Sequence, residues 1–160
     1  MKDLLRELIF RDFEYVLIDS PPSMGVLTVN DLVAAEHMVI PMNPSLYSMQ
    51  GTNDLMATVY KVRKNLNPEL KLLGVIINSY DSIPVITRQI RDEIETSFGE
   101  KVLKTVLSMS IKIEEAIADR SGVIAKNTKV GLQIRTIVEE LIERVTGSEL
   151  RVSSEKETLC

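Results

Sequence analysis

The residues best suited to chemistry sit in one run, Tyr15-Val16-Leu17-Ile18-Asp19-Ser20-Pro21-Pro22-Ser23-Met24-Gly25. Four apolar residues in a row, without alternation, predict a short strand buried on both faces, as in a parallel sheet. Such a strand would deliver Asp19 at its carboxyl end, where open α/β sheets place their ligands. Pro21 and Pro22 stop the ladder at once, because neither can donate a backbone hydrogen bond. Ser23 to Gly25 then form a turn, and a helix resumes near Leu27-Thr28. A carboxylate so placed can hold Mg²⁺, directly or through water, opposite nucleotide phosphates, and the loop after it can sense the γ-phosphate. On spacing alone, Asp19 serves equally well as a cap for the next turn, with the prolines only ending a strand.

The elements that must position this run alternate in type. Leu4, Leu5, Leu8 and Ile9 have helical spacing ahead of it. Further buried-type strands are predicted at His37-Met38-Val39-Ile40, at Leu72-Leu73-Gly74-Val75-Ile76-Ile77, and at the shorter run Lys101-Val102-Leu103-Lys104-Thr105-Val106-Leu107. Helices are predicted between them. One covers 46–66 and is closed by Asn67-Pro68. A second covers 83–98, where Ile83, Ile86, Ile90, Ile94 and Phe98 draw one apolar stripe, and a third covers 128–146, where Ile134, Ile137, Val138, Leu141, Ile142 and Val145 do the same. Strand–helix alternation with buried-type strands predicts an α/β domain, a mostly parallel sheet flanked by helices. It would occupy residues 1–146, and the polar, aperiodic stretch 147–160 is expected to be disordered.

Composition narrows the classes. The chain has 160 residues, 44% of them hydrophobic and 26% charged, which suits one soluble globular domain with an aliphatic core, since aromatics are only 4% and Trp is absent. One Cys and one His exclude disulfide frameworks and zinc fingers. No apolar run approaches the roughly 20 residues of a membrane span, and the first residues lack a signal peptide's unbroken apolar stretch, so a cytoplasmic protein with no membrane contact is expected. The net charge of −4 gives no global attraction to nucleic acid. Between Asp119 and Glu139, however, stand Arg120, Lys126, Lys129 and Arg135 and no acidic residue, either a patch for phosphates or a solvated helix flank. Asn78 ends a predicted strand and is either a base contact or a polar strand end bonding its own loop. Met49 and Met56 read as packing, and His37 has no nucleophile pattern beside it.

The Asp19 segment resembles the Walker B and switch II region of the ParA/Soj/MinD group of deviant-Walker P-loop ATPases, which commonly read IDCPPS or IDSPPS followed by Gly and a helix. The resemblance continues in order. Ala34-Ala35-Glu36-His37-Met38-Val39-Ile40-Pro41 is similar to the group's ADxVLIP strand, Tyr47-Ser48-Met49-Gln50-Gly51 to its YYALEG turn, and Leu72 to Asp81 to its IxGVLLTMYD strand. Phe98-Gly99-Glu100-Lys101-Val102 matches FGEKVF, and Ile113-Glu114-Glu115-Ala116 corresponds to LSEA. The likeness runs from about residue 4 to 146 and is closer to ParA/Soj partition ATPases than to MinD. It implies a partial P-loop NTPase domain of the SIMIBI type, with Asp19 as the catalytic, Mg²⁺-side carboxylate and Ser20, Pro21, Pro22, Ser23, Met24 and Gly25 as the switch. Asn78, Ser110, Lys112 and Glu115 become candidates for nucleotide contact, within an adenine-side loop over 108–117. Lys126, Lys129 and Arg135 become candidates for nonspecific DNA contact. The group's loop reads IPRNVRLSEAPS, and here both prolines and the first Arg are replaced.

A phosphate cradle needs Gly-rich backbone followed by Lys, yet none of the seven glycines is followed by Lys and no two are adjacent. The resemblance is therefore to the C-terminal portion of such an ATPase, without its KGGxxKT motif. Full-length relatives use ATP and Mg²⁺; this chain alone is expected to bind neither tightly and to hydrolyse poorly. In the group the P-loop strand lies beside the Walker B strand, so its absence is expected to leave unpaired edges, marginal stability or self-association. Implied partners are DNA, a ParB-like protein, a second copy or a full-length homologue. Two other readings stay open: a non-catalytic module that modulates an intact homologue, and a MinD-like or cobyrinate-synthesis-type relative. For the latter, no membrane-targeting tail or amidotransferase extension is visible.

Overall fold

The computed structural model describes residues 13–21, 25–120, 122 and 128–147. Helix α1 (Val26–Ala34) leads into strand β1 (His37–Met42), then helix α2 (Leu46–Asn65), strand β2 (Lys71–Ile77), helix α3 (Val85–Phe98), a 3₁₀ turn (Gly99–Lys101), helix α4 (Ile111–Ala118) and helix α5 (Lys129–Thr146). The strands pair in parallel, from His37↔Lys71 to Met42↔Ile77. The architecture is α/β, a parallel sheet flanked by helices, as the alternation of the sequence predicts.

Local chemistry sets the element ends. Ser45 caps α2 by accepting a hydrogen bond from the Ser48 N–H, and Thr128 caps α5 by accepting from the Gly131 N–H. Gly147 ends α5 at φ 65°, a left-handed conformation that costs glycine little. Asn67, which the sequence offers only as a helix stop, is buried and donates from Nδ2 to the carbonyls of Leu32 (2.9 Å) and Ala35 (2.8 Å). It therefore satisfies the last carbonyls of α1 from across the fold.

The core gathers where β1 and β2 meet the helices. Met42, Leu70, Val75, Ile77 and Ile94 are fully buried, with Val59 and Val62 of α2 and Ile90 of α3 beside them. Met49 and Met56 pack against this cluster, as ordinary core neighbours.

Three expectations need correction. Tyr15 to Ile18 form no strand: the segment has no regular structure, and Leu17 is 96% exposed. No neighbouring strand among the described residues supplies the hydrogen bonds that would bury it. The run from Lys101 to Leu107 is not a continuous strand either. It follows the edge of β2 away from β1, with the Leu103 N–H bonded to the Val75 carbonyl and the Leu107 N–H to the Ile77 carbonyl. Four residues thus oppose two, because the Lys104 N–H turns out of the ladder to the Glu140 carboxylate. Finally, the stripe of α3 is buried only in its second half. Ile83 precedes the helix, its N–H bonded to Asp81 Oδ1, and both Ile83 and Ile86 are exposed. Helix 4–10 and the tail from residue 148 lie outside the described residues.

A clamp holds the last helix to the sheet. Between Met38 and Val39 the register slips, leaving Leu73 without a partner across the ladder. Arg144 of α5 uses that carbonyl: its guanidinium donates to the carbonyls of Leu73 (3.0 Å), Lys101 (3.0 Å) and Val102 (3.2 Å), and to Glu140 Oε1 (2.7 Å). Gly74 lies beside it, and a Cβ there would meet Leu103 Cδ1 and force that side chain to shift.

Candidate functional site

Parallel strands send their connections to helices out at one rim, and two asparagines mark it. Asn43 follows β1, Asn78 follows β2, and the ladder register extends to them through the bond from the Asn78 N–H to the Met42 carbonyl, 2.8 Å. Their side chains meet: Asn78 Nδ2 donates to Asn43 Oδ1 at 3.1 Å. One amide proton of Asn78 is thereby used within the fold. Its second amide proton, its carbonyl oxygen and the Asn43 amide are the groups this pair can offer a ligand.

Beyond Asn78 the chain turns sharply. Ser79 has φ 52°, an unusual value for a residue with a Cβ. The turn brings Tyr80 beside the segment at 107–109, with the Tyr80 N–H bonded to the Leu107 carbonyl and the Met109 N–H to the Tyr80 carbonyl. An open cleft of ≈ 330 Å³ results, lined by Tyr80, Asp81, Met109, Ser110 and Ile111. Arg91 lies over the Tyr80 ring at 5.4 Å and pairs with Glu95 at 2.7 Å. Its hydrogen bond to the Glu95 carboxylate raises the Arg91 pKa above the ordinary guanidinium value, against partial desolvation, so the group stays cationic.

The candidates from the sequence fall into separate groups. Ser110 lines this cleft, whereas Asn78 stands two residues ahead of Tyr80 and is not in its lining. Ser110 precedes α4 and accepts from the Lys112 N–H at 3.2 Å, so its hydroxyl oxygen acts as a cap. Lys112 Nζ pairs with Glu115 Oε2 at 2.7 Å on the exposed side of α4, so the two candidates partner each other. Asp19 is exposed, and its neighbour Ser20 donates from Oγ to Oδ2 of Asp31 in α1 at 2.8 Å. Pro21 and Gly25 are exposed, while Pro22, Ser23 and Met24 lie outside the described residues. Lys129 and Arg135 are exposed on α5, and six residues of helix place them about 120° apart around the axis. Lys126 lies outside the described residues.

Asp31, Asn43 and Gln133 escape a reading by motif. Asp31 had a signal, as the one charged residue in the apolar stretch 26–35. It is buried at 9% exposure, and a buried carboxylate needs a donor, here Ser20. Asn43 and Gln133 had none, because their partners are 35 and 25 residues away.

Among the described residues no group of three His, Cys, Asp or Glu could hold a metal ion. A lone exposed carboxylate suits Mg²⁺ that arrives bound to phosphates, because that ion keeps several waters and takes only one or two carboxylates. No described helix is long and apolar enough to cross a membrane.

The chain is similar to known proteins in sequence and in fold. The family described as AAA domain matches residues 1–72. The chromosome-partitioning ATPase Soj of Thermus thermophilus is 40% identical over 114 residues, which is 70% of this chain and 45% of that protein. The chromosome partitioning protein ParA of Caulobacter vibrioides is 36% identical over 104 residues, 65% of this chain and 39% of its own length. The chain thus spans less than half the length of these curated relatives. In structure it is similar to cobyrinic acid a,c-diamide synthase of Mycobacterium smegmatis, solved with bound ADP and magnesium, with TM-score 0.72, 26% identity, and coverage of 92% of this chain and 55% of that one. In sequence and in fold, then, the chain is similar to the ParA/Soj-like P-loop ATPases.

Proposed function

We propose that this chain acts in chromosome or plasmid partition in the cytoplasm, as the Mg²⁺-side and base-side portion of a ParA/Soj-type ATPase unit. The observation that carries the reading is the run Ile18-Asp19-Ser20-Pro21-Pro22-Ser23, within a sequence kin to proteins named for chromosome partitioning. Asp19 takes the Mg²⁺ that accompanies ATP, and bound Mg²⁺ supplies charge stabilisation for phosphoryl transfer. Ser20 to Gly25 form the switch. Asn78 and Ser110 meet the base at the cleft, with Lys112 and Glu115 at its margin. Lys112 must leave Glu115 to reach a ligand, a small cost for an exposed pair.

Without a Gly-Lys pair in this sequence, the phosphates are gripped by residues outside it. Removing one preorganised donor costs about 3 kcal/mol of transition-state stabilisation, so these 160 residues by themselves turn ATP over poorly. Lys126, Lys129 and Arg135 contact DNA phosphates without reading sequence, and a ParB-like partner and a second copy or longer homologue complete the unit. The absence of the Gly-Lys pair also favours a second reading, a non-catalytic module that binds an intact homologue and no nucleotide.

The test is genetic. With Asp19→Ala or Asp19→Asn in the native gene, the frequency of daughter cells lacking the replicon should rise toward that of random segregation. Unchanged inheritance with the altered protein at its normal level would contradict the proposal.

A further inference from the structure

We infer that Gln133, on α5 and outside the cleft, is a positioning residue that fixes the cleft's base-side wall through Ser108 and so sets discrimination between purines. The inference rests on reading that cleft as the base side of a nucleotide site. The wall is the segment Ser108 to Ile111, and it is tied on two sides. Toward β2 it is held by backbone, through the parallel bridge Tyr80↔Ser108 and the bond from the Met109 N–H to the Tyr80 carbonyl at 3.1 Å. Toward α5 it is held by one side chain. Gln133 Oε1 accepts from the Ser108 N–H at 3.2 Å, and Gln133 Nε2 donates to Ser108 Oγ at 2.9 Å.

A side-chain amide that engages both the backbone and the hydroxyl of one residue restrains its rotation as well as its place. The two bonds are part-buried, where each is worth more than at an open surface. Gln133 itself projects from a fixed support. The Thr128 cap holds the start of α5 and the three carbonyl bonds of the Arg144 clamp hold its end. Met109 and Ser110, the next two residues along, line the cleft.

Telling a 6-amino from a 6-oxo purine requires donors and acceptors held in place, since a mobile loop can rearrange to suit either. The bond to Asn43 fixes the orientation of the Asn78 amide, whose carbonyl oxygen can accept from an exocyclic amino group while its second N–H stays available as a donor. The segment Ser108 to Ile111 must hold still for that acceptor to select. Gln133 supplies this rigidity from 25 residues away in sequence.

AMP and GMP probe the base side without a phosphate grip. Each is titrated into the isotope-labelled 160-residue chain while amide shifts are followed at 78–81 and 108–111. In the wild type, AMP should move these amides and bind roughly fivefold or more tighter than GMP, a difference of about 1 kcal/mol. Gln133→Leu should bring the two affinities within about twofold. Gln133→Glu should keep the wild-type ratio, because a carboxylate still accepts from the Ser108 N–H and can accept from its hydroxyl. Ser108→Ala removes only the hydroxyl partner, and should give an intermediate ratio, a second reading should Gln133→Leu fail to fold. An unchanged ratio in Gln133→Leu, or Gln133→Glu behaving like Gln133→Leu, overturns the inference while leaving the base-side reading in place. No AMP-dependent shift at these amides in the wild type overturns the base-side reading itself.

Discussion

Asn67 and Arg144 do similar work by different means: each feeds donors to carbonyls that the secondary structure leaves unpaired. In Asn67→Ala the carbonyls of Leu32 and Ala35 lose a buried donor, and stability should fall by about 2–3 kcal/mol in urea unfolding. Asn67→Asp should not rescue it, since a carboxylate brings acceptors where donors are needed. Arg144→Met keeps much of the stem but abandons three carbonyls and Glu140, and should cost about 2–4 kcal/mol by the same measurement. Arg91 makes the contrasting case. Its pKa is raised, so its contribution is complete below the unfolded value and fades only as pH rises beyond it, at strongly alkaline pH. Thermal melts of wild type and Arg91→Ala should therefore differ by a constant amount between about pH 5 and pH 9. Little of this was legible beforehand. Asn67-Pro68 reads as a helix stop, and a donor to carbonyls 32 and 35 residues away leaves no local trace.

Elements were more legible where burial is local. β1, β2, α2 and α5 lie close to their predicted positions, because continuous apolar runs and 3.6-residue stripes report packing directly. Two failures share a cause. The strand at Tyr15 to Ile18 and that at Lys101 to Leu107 depend on pairing partners, and a run of apolar residues says nothing about whether a partner stands alongside. In the second case the Glu140 carboxylate outcompetes the ladder for the Lys104 N–H. Glu140→Ala should thus loosen two contacts together, the excursion at Lys104 and the Arg144 clamp. Hydrogen exchange at 102–107 should quicken in Glu140→Ala, and combining it with Arg144→Met should cost less than the two single changes added. Full additivity would show that the clamp and the excursion are independent.

At the scale of the whole molecule, the α/β fold class was legible in the sequence, which also offered Asp19 as a candidate acid, whereas the cleft between Tyr80 and Ile111 emerged only from tertiary structure. The apolar surface is also large. Leu17, Val26, Tyr47, Ile83 and Ile111 all stand more than 70% exposed. Large side chains left in water favour association, so sedimentation of the isolated chain should show concentration-dependent growth beyond its 18.0 kDa mass. A sharp monomer over the same range, melting cooperatively, would mean that this surface is tolerated. The reading stands most directly on Asp19 as the acid that meets Mg²⁺ beside a nucleotide. The affinity of the chain for ATP, measured with Mg²⁺ and again with the ion chelated, tests it. Mg²⁺ should strengthen ATP binding severalfold in the wild type and leave it unchanged in Asp19→Ala; an equal Mg²⁺ effect in both proteins would contradict the account.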